Sequence, residues 1–149
     1  MRWRFSDRLL AYREWESLQG RKAVSLEEYH LLAPLGLGSA FPSSLAVECG
    51  VSVARWLVLR SSGFSSSCLL AGVEGMAFDG PGASARGAVL EISVRMKERR
   101  GDELSCRAEV LAEGRRVAGG FLRLQAVPAA SLEDPGLAAT LWEELYGDS

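Results

Sequence analysis

The sequence predicts an α+β domain in which a curved antiparallel sheet wraps one long buried helix. Three observations predict it. The segment 43–60 follows Pro42, contains no Gly or Pro except Gly50, and is apolar around most of its circumference. The second half carries a meander of alternating strands. The segment before the helix is rich in turn residues and reads as a hairpin followed by a loop.

Taken in order, 8–18 and 22–26 flank Gln19-Gly20-Arg21 and are expected to be the two arms of the hairpin. From 27 to 41 the punctuation by Pro34, Gly36 and Gly38 predicts a loop, with one helical turn near 28–32. The helix at 43–60 has Ser43 and Ser44 where an N-cap belongs. A Ser-rich connector at 61–67 leads to a strand at 68–78, where Gly72 and Gly75 predict curvature or a bulge. Residues 89–97 alternate, with Leu90, Ile92, Val94 and Met96 on one face and Glu91, Ser93, Arg95 and Lys97 on the other, as a half-buried antiparallel strand does. A strand at 104–111 turns at Glu113-Gly114 into another at 116–127. Pro135 introduces a short helix, about 136–146, in which Leu137, Leu141 and Leu145 recur every four residues.

The 149 residues, 48% hydrophobic and 24% charged, form one expected domain, 1–149, large enough to hold a core without staples. A net charge of -2 creates no field that would gather nucleic acid or anionic lipid. Cys49, Cys68 and Cys106 are far apart without a CxxC pair, and His30 is the one histidine, so no metal site is expected and the thiols should be reduced. Asp7, Arg8 and Arg13 interrupt any signal-like start, and Glu48, Arg55 and Arg60 interrupt the longest apolar stretch. A cytoplasmic protein without a membrane span is the expectation.

Glu48 stands out, because a carboxylate within an apolar helix is costly unless it is hydrogen-bonded, paired or kept protonated. That makes it a candidate acid or base. A plainer role is a polar contact with Ser52 and Arg55, at i+4 and i+7, across a dimer interface. His30 has an imidazole suited to proton transfer, though a loop histidine is more often just solvated. Cys49 reads as core packing. Arg95, Lys97, Arg99, Arg100, Arg107, Arg115 and Arg116 could attract a carrier protein or a CoA phosphate, but Glu98, Asp102, Glu103 and Glu109 interleave with them as on an ordinary solvated face.

Phe41-Pro42-Ser43-Ser44-Leu45-Ala46-Val47-Glu48 resembles an octet of the β-hydroxyacyl-acyl-carrier-protein dehydratases, hot-dog-fold enzymes in which the helix Glu is catalytic. Residues 69–78 are similar to the strand after that helix, and 79–94, with Pro81 and Gly87, to the turn and strand that follow. The resemblance implies a hot-dog fold and a 3-hydroxyacyl thioester substrate carried by acyl-carrier protein or CoA, with no cofactor beyond the phosphopantetheine arm. It also implies a homodimer or a hetero-assembly with another hot-dog subunit. It assigns Glu48 as acid–base and the amides starting at Ser43 and Ser44 as carbonyl donors. The substrate would be lined by Phe41, Leu45, Ser52, Gly72 and Val73. The family's loop histidine would fall at Pro34, with His30 four residues upstream; Ser52 replaces a Gln and Ser43 a Gly. A thioesterase of the same fold and a non-catalytic subunit beside an active paralogue stay open, since hydrolysis needs one carboxylate and dehydration usually two proton-transfer groups.

Overall fold

A computed structural model describes residues 7–23, 43–78 and 89–147. The loop expected at 27–41, with its helical turn, His30 and Phe41, lies outside them, as does the whole of 79–88. The elements are β1 (Arg8–Arg13), β2 (Ser17–Ala23), α1 (Ser43–Ser61), β3 (Ser66–Phe78), β4 (Val89–Arg100), β5 (Glu103–Ala112), β6 (Arg115–Pro128) and α2 (Pro135–Leu145). The strands form one sheet in the order β1-β2-β4-β5-β6-β3, and each neighbouring pair is antiparallel.

Alternation builds the inner face. Leu90, Ile92 and Val94 of β4, Cys106 and Val110 of β5, and Leu122 and Leu124 of β6 are all buried and turn toward α1. α1 answers with Ala46, Cys49, Val53 and Leu57, also buried. Gly50 marks the closest approach: a Cβ there would lie 3.3 Å from the Ala108 Cβ and 3.7 Å from Leu122 Cδ1. The sheet can therefore curve tightly against the first half of the helix. Cys49, Cys68 and Cys106 are buried, and none of the three is in a disulfide.

α1 ends one residue later than the sequence suggested, and the connector shortens to 62–65 because Ser66 and Ser67 already pair with Pro128 and Val127. Gly63 and Phe64 both turn left-handed, at φ 65° and 66°, and the Phe64 amide donates to the Leu59 carbonyl at 2.6 Å. This tight reversal sets β3 antiparallel to α1.

One expectation is corrected. The hairpin does not turn at Gln19-Gly20-Arg21; Arg13 pairs with Ser17 around Glu14-Trp15-Glu16, with Trp15 left-handed at φ 55°. Gly20 is instead a buried mid-strand residue paired with Leu9 on one side and Ile92 on the other. The Trp15 amide donates to Ser61 Oγ at 2.8 Å, and the Arg99 guanidinium lies 4.0 Å from the Trp15 ring centroid, so tertiary contacts place the turn. In α2 the inward face is Ala138 and Trp142, whereas Leu137 and Leu141 are exposed. Trp142 stacks on Tyr146 with centroids 5.0 Å apart and meets the edge of Tyr12 at 5.4 Å. Its indole wins the inward position because it covers the end of α1, at Trp56, and the hairpin together.

The sheet edges differ. Along β1, Tyr146 bridges to Leu9 and the Gly147 amide donates to the Leu9 carbonyl at 3.1 Å, so the C-terminal segment closes that edge. β3 has one strand neighbour, β6, and its other edge is open among the described residues. Among those residues no helix is long and apolar enough to cross a membrane.

Candidate functional site

The side of α1 facing away from the sheet carries Glu48, Ser52 and Arg55, which share one stripe because i, i+4 and i+7 lie one above another on a helix. Glu48 is exposed, and Ser52 and Arg55 are half-buried. The expected cost of burying Glu48 therefore does not arise in the single chain. The sequence could not show this, because it depends on how far the sheet wraps. α2 covers the end of α1 at Trp56 and Arg60, whereas the half bearing Glu48 is not covered by any described residue.

β3 supplies the adjoining wall. Leu70 pairs with Leu124 and Val73 with Leu122, both core residues, so both point to the concave side. A register shift between Leu70 and Gly72 resets the alternation and lets residues three apart share a face. Leu70 is nonetheless 39% exposed and Val73 47%. Met76 of β3 meets Ala46 and Val47 of α1 around a small void. At the other end Arg55 acts on the Cys68 thiol. Leu70 and Val73 fall between these two crossings, opposite the stretch from Glu48 to Arg55. We take the exposed Leu70 and Val73 and the uncovered stretch of α1 that carries Glu48 as the two walls of an open trough.

Of the residues expected to bind substrate, Val73 lies on this wall and Ser52 on the facing stripe. Ser43, Ser44 and Leu45 form the first turn of α1, where amides lack intrahelical partners. Gly72 is on the convex side: a Cβ there would lie 3.0 Å from Arg123 Nη2. His30 and Phe41 lie outside the described residues.

Electrostatics distinguish the trough from the rest of the surface. The convex face holds a hollow of about 390 Å³ lined by Glu74, Glu98, Arg100, Glu103 and Arg123, in which two ion pairs form. Arg123 Nε lies 3.2 Å from Glu74 Oε1, Arg100 Nε 2.5 Å from Glu98 Oε1, and Arg107 Nη2 3.0 Å from Glu109 Oε1. Of the basic run, Arg100 and Arg107 thus form ion pairs with acidic neighbours and Arg99 lies over the Trp15 ring. At the inner end of the trough, burial pushes the Cys68 thiol up to about 12; Arg55 pulls it down and Glu133 raises it. Cys106 is likewise pushed up to about 12 by burial. Neither thiol is a ready nucleophile.

One charged residue escaped the sequence reading. Lys22 is fully buried on the inner face of β2, opposite Leu90. The signal was the alternation Leu18, Gly20, Lys22, concealed by the turn expected at Gly20. No group of His, Cys, Asp or Glu among the described residues could hold a metal ion.

No model of a protein family and no curated relative matches the sequence. Solved structures do match in fold. A hot-dog-like protein from Thermanaerovibrio acidaminovorans superposes with TM-score 0.63 at 14% identity, covering 92% of this chain and 96% of that one. The dehydratase heterocomplex ApeI:P from Xenorhabdus doucetiae gives TM-score 0.64 at 16% identity, with 86% of each chain covered. A thioesterase superfamily member from Thermus thermophilus gives TM-score 0.60 at 17% identity, covering 90% and 96%. The chain has the hot-dog fold, the α+β arrangement its sequence predicted.

Proposed function

We propose that this chain acts on acyl thioesters, with Glu48 as its acid–base group and the dehydration of 3-hydroxyacyl thioesters as its reaction. The observation that carries the reading is the solvent-open Glu48 carboxylate beside the uncovered wall of Leu70 and Val73. The free amides starting at Ser43, Ser44 and Leu45 would accept the thioester carbonyl oxygen and stabilise the negative charge that develops on it. Glu48 would take the proton from Cα; the Cα–Cβ double bond then forms as the Cβ–O bond breaks. The same carboxyl would return its proton to the departing hydroxyl, which leaves as water. This chemistry needs neither metal nor nucleotide. The acyl group would arrive on the phosphopantetheine of a carrier protein or of CoA.

Resemblance of 41–48 to the dehydratase octet and the likeness to a dehydratase heterocomplex support the choice of dehydration. Hydrolysis is the second reading, and one observation favours it: among the described residues Glu48 is the one carboxylate on the open stripe, and a single carboxylate suffices to activate water. In either reaction the trough needs a cover. The open edge of β3 would supply it by pairing with a second hot-dog subunit, a copy of this chain or a paralogue.

Intact masses of 3-hydroxyacyl-carrier protein after incubation decide the reaction. Loss of water, reduced by a factor of about 10²–10⁴ in Glu48→Gln, is the expected result. Loss of the whole acyl group would establish hydrolysis instead. An unchanged mass would make this a subunit without catalysis of its own.

A further inference from the structure

We infer that Arg55 completes the site of a neighbouring copy: in a two-fold dimer the Glu48 carboxylate of one chain faces Arg55 of the partner subunit, and reciprocally. Only the catalytic arm of this inference rests on the acyl-thioester reading.

The first observation is a pair of charges that meet no partner among the described residues. Glu48 and Arg55 are seven residues apart on one stripe, about 10 Å along the helix axis. Among the described residues neither forms an ion pair or a side-chain hydrogen bond. Arg55 Nε is shut off from water and has no partner. A half-buried guanidinium in that condition is costly, because burial removes its water and no acceptor replaces it. Glu133 also acts on Cys68, and its Oε1 is likewise shut off from water without a hydrogen bond, yet it forms no ion pair with Arg55 among the described residues.

The second observation is the incomplete trough. Leu70 and Val73 face the concave side and remain exposed, and among the described residues the β3 edge beside them is open while the β1 edge is closed. A two-fold interface sets residue i of one chain against j of the other, and j against i. A stripe with an acid at one end, a base at the other and the hydroxyl of Ser52 between them is self-complementary when a second copy lies antiparallel. Both ends then pair acid with base, and Ser52 falls near the axis. A parallel arrangement would set acid on acid. Because β3 runs antiparallel to α1, the same axis also brings the exposed stretch from Leu70 to Val73 against itself. Arg55 of the partner subunit is then a positioning residue, whose guanidinium holds the Glu48 carboxylate in one orientation.

Charge exchange tests the pairing without any activity. Arg55→Glu creates two acid–acid contacts per dimer and should weaken dimerisation by roughly a hundredfold, and Glu48→Arg should act likewise through base–base contacts. The doubly exchanged chain should return to within a few-fold of the original dissociation constant by sedimentation equilibrium. A monomeric parent protein, single exchanges that dimerise as tightly as the parent, or a double exchange no tighter than the singles would each overturn the pairing.

Subunit complementation tests the site. Glu48→Gln and Arg55→Ala, each expected to lose at least about tenfold in turnover, are co-expressed with different tags and the mixed dimer is isolated. One of its two sites keeps both groups, so about half of the parent turnover should return. Mixed dimers as poor as either parent variant would remove Arg55 from the neighbouring site, because a merely structural arginine gives no complementation. A parent protein that turns over no thioester would sink the acyl-thioester reading, and charge exchange would still decide the pairing.

Discussion

Burial of Cys68 and Cys106 gives the chain an alkaline weakness that can be worked out residue by residue. Both thiols are pushed up from 9.0 to about 12, chiefly because the folded chain keeps a thiolate away from water. Above pH 9 the unfolded chain releases these protons while the native chain holds them, so the stability they contribute is complete below pH 9 and is lost as pH rises to about 12. The melting temperature should fall across that window, and Cys68→Ala/Cys106→Ala should flatten the fall whatever its effect at neutral pH. An equally steep fall would place the alkaline loss in other groups. Glu113 offers the opposite change. It is left-handed at φ 52° beside Gly114 at φ 77°, the pattern of a type I′ turn, which a Glu side chain strains and an Asn tolerates. Glu113→Asn should raise stability by about 0.5–1 kcal/mol, read as a higher urea midpoint at unchanged slope. At this scale the sequence was legible where chemistry alone identifies a residue. Glu48 was found because a carboxylate is out of place in an apolar helix, and the Glu113-Gly114 turn because its residue types demand it. Lys22 and the orphaned nitrogen of Arg55 were not found, since burial of either depends on which neighbours the fold brings against it.

Elements were legible wherever their period was long and unbroken. α1 and the strands β4, β5 and β6 match the expected segments to within a few residues, because each has enough turns or alternations for its face to be unambiguous. The first hairpin failed because glycine signals both a turn and a buried strand position, and Gly20 is the second. α2 lies where it was expected, but its inward face was not legible: Leu137, Leu141 and Leu145 recur every four residues, yet Trp142 takes the core side with Ala138. That assignment carries a prediction. Trp142 holds Tyr12, Trp56 and Tyr146 together, and the helix it anchors is capped by Asp134, whose Oδ1 accepts from the Gly136 and Leu137 amides at 2.9 and 3.3 Å. Trp142→Ala should cost about 3–5 kcal/mol in urea unfolding and Asp134→Ala about 0.5–2 kcal/mol. Leu137→Ala, on the exposed face, should stay within about 0.5 kcal/mol. Should the Leu137 change prove the costlier of the helix-face pair, the orientation of α2 would be wrong.

The whole molecule is asymmetric in how it treats its edges. One end of the sheet is shut by its own C-terminal segment, with the Tyr12 amide donating to the Tyr146 hydroxyl at 3.2 Å behind the Leu9 bridge. Among the described residues the other end, β3, presents open backbone next to Leu69, Leu70 and Val73, three of the large apolar side chains left exposed. A long apolar edge of this kind would invite uncontrolled pairing if nothing occupied it, and the chain places no lysine or proline within it as a guard. The same residues wall the trough beside Glu48, so whatever occupies the edge also encloses the site. Val73→Lys separates these contributions cleanly. Val73 is 47% exposed in the single chain, so the substitution should change monomer unfolding by no more than about 0.5 kcal/mol. Across a β3 interface the same ammonium would be buried in an apolar seam, and the dimer dissociation constant should rise at least about tenfold. Thioester turnover per chain should fall with the dimer and recover as protein concentration is raised, because enclosure of the trough follows mass action. A Val73→Lys protein that dimerises as its parent does would show that β3 is not the joining edge, and the cover over Glu48 would then have to come from another element.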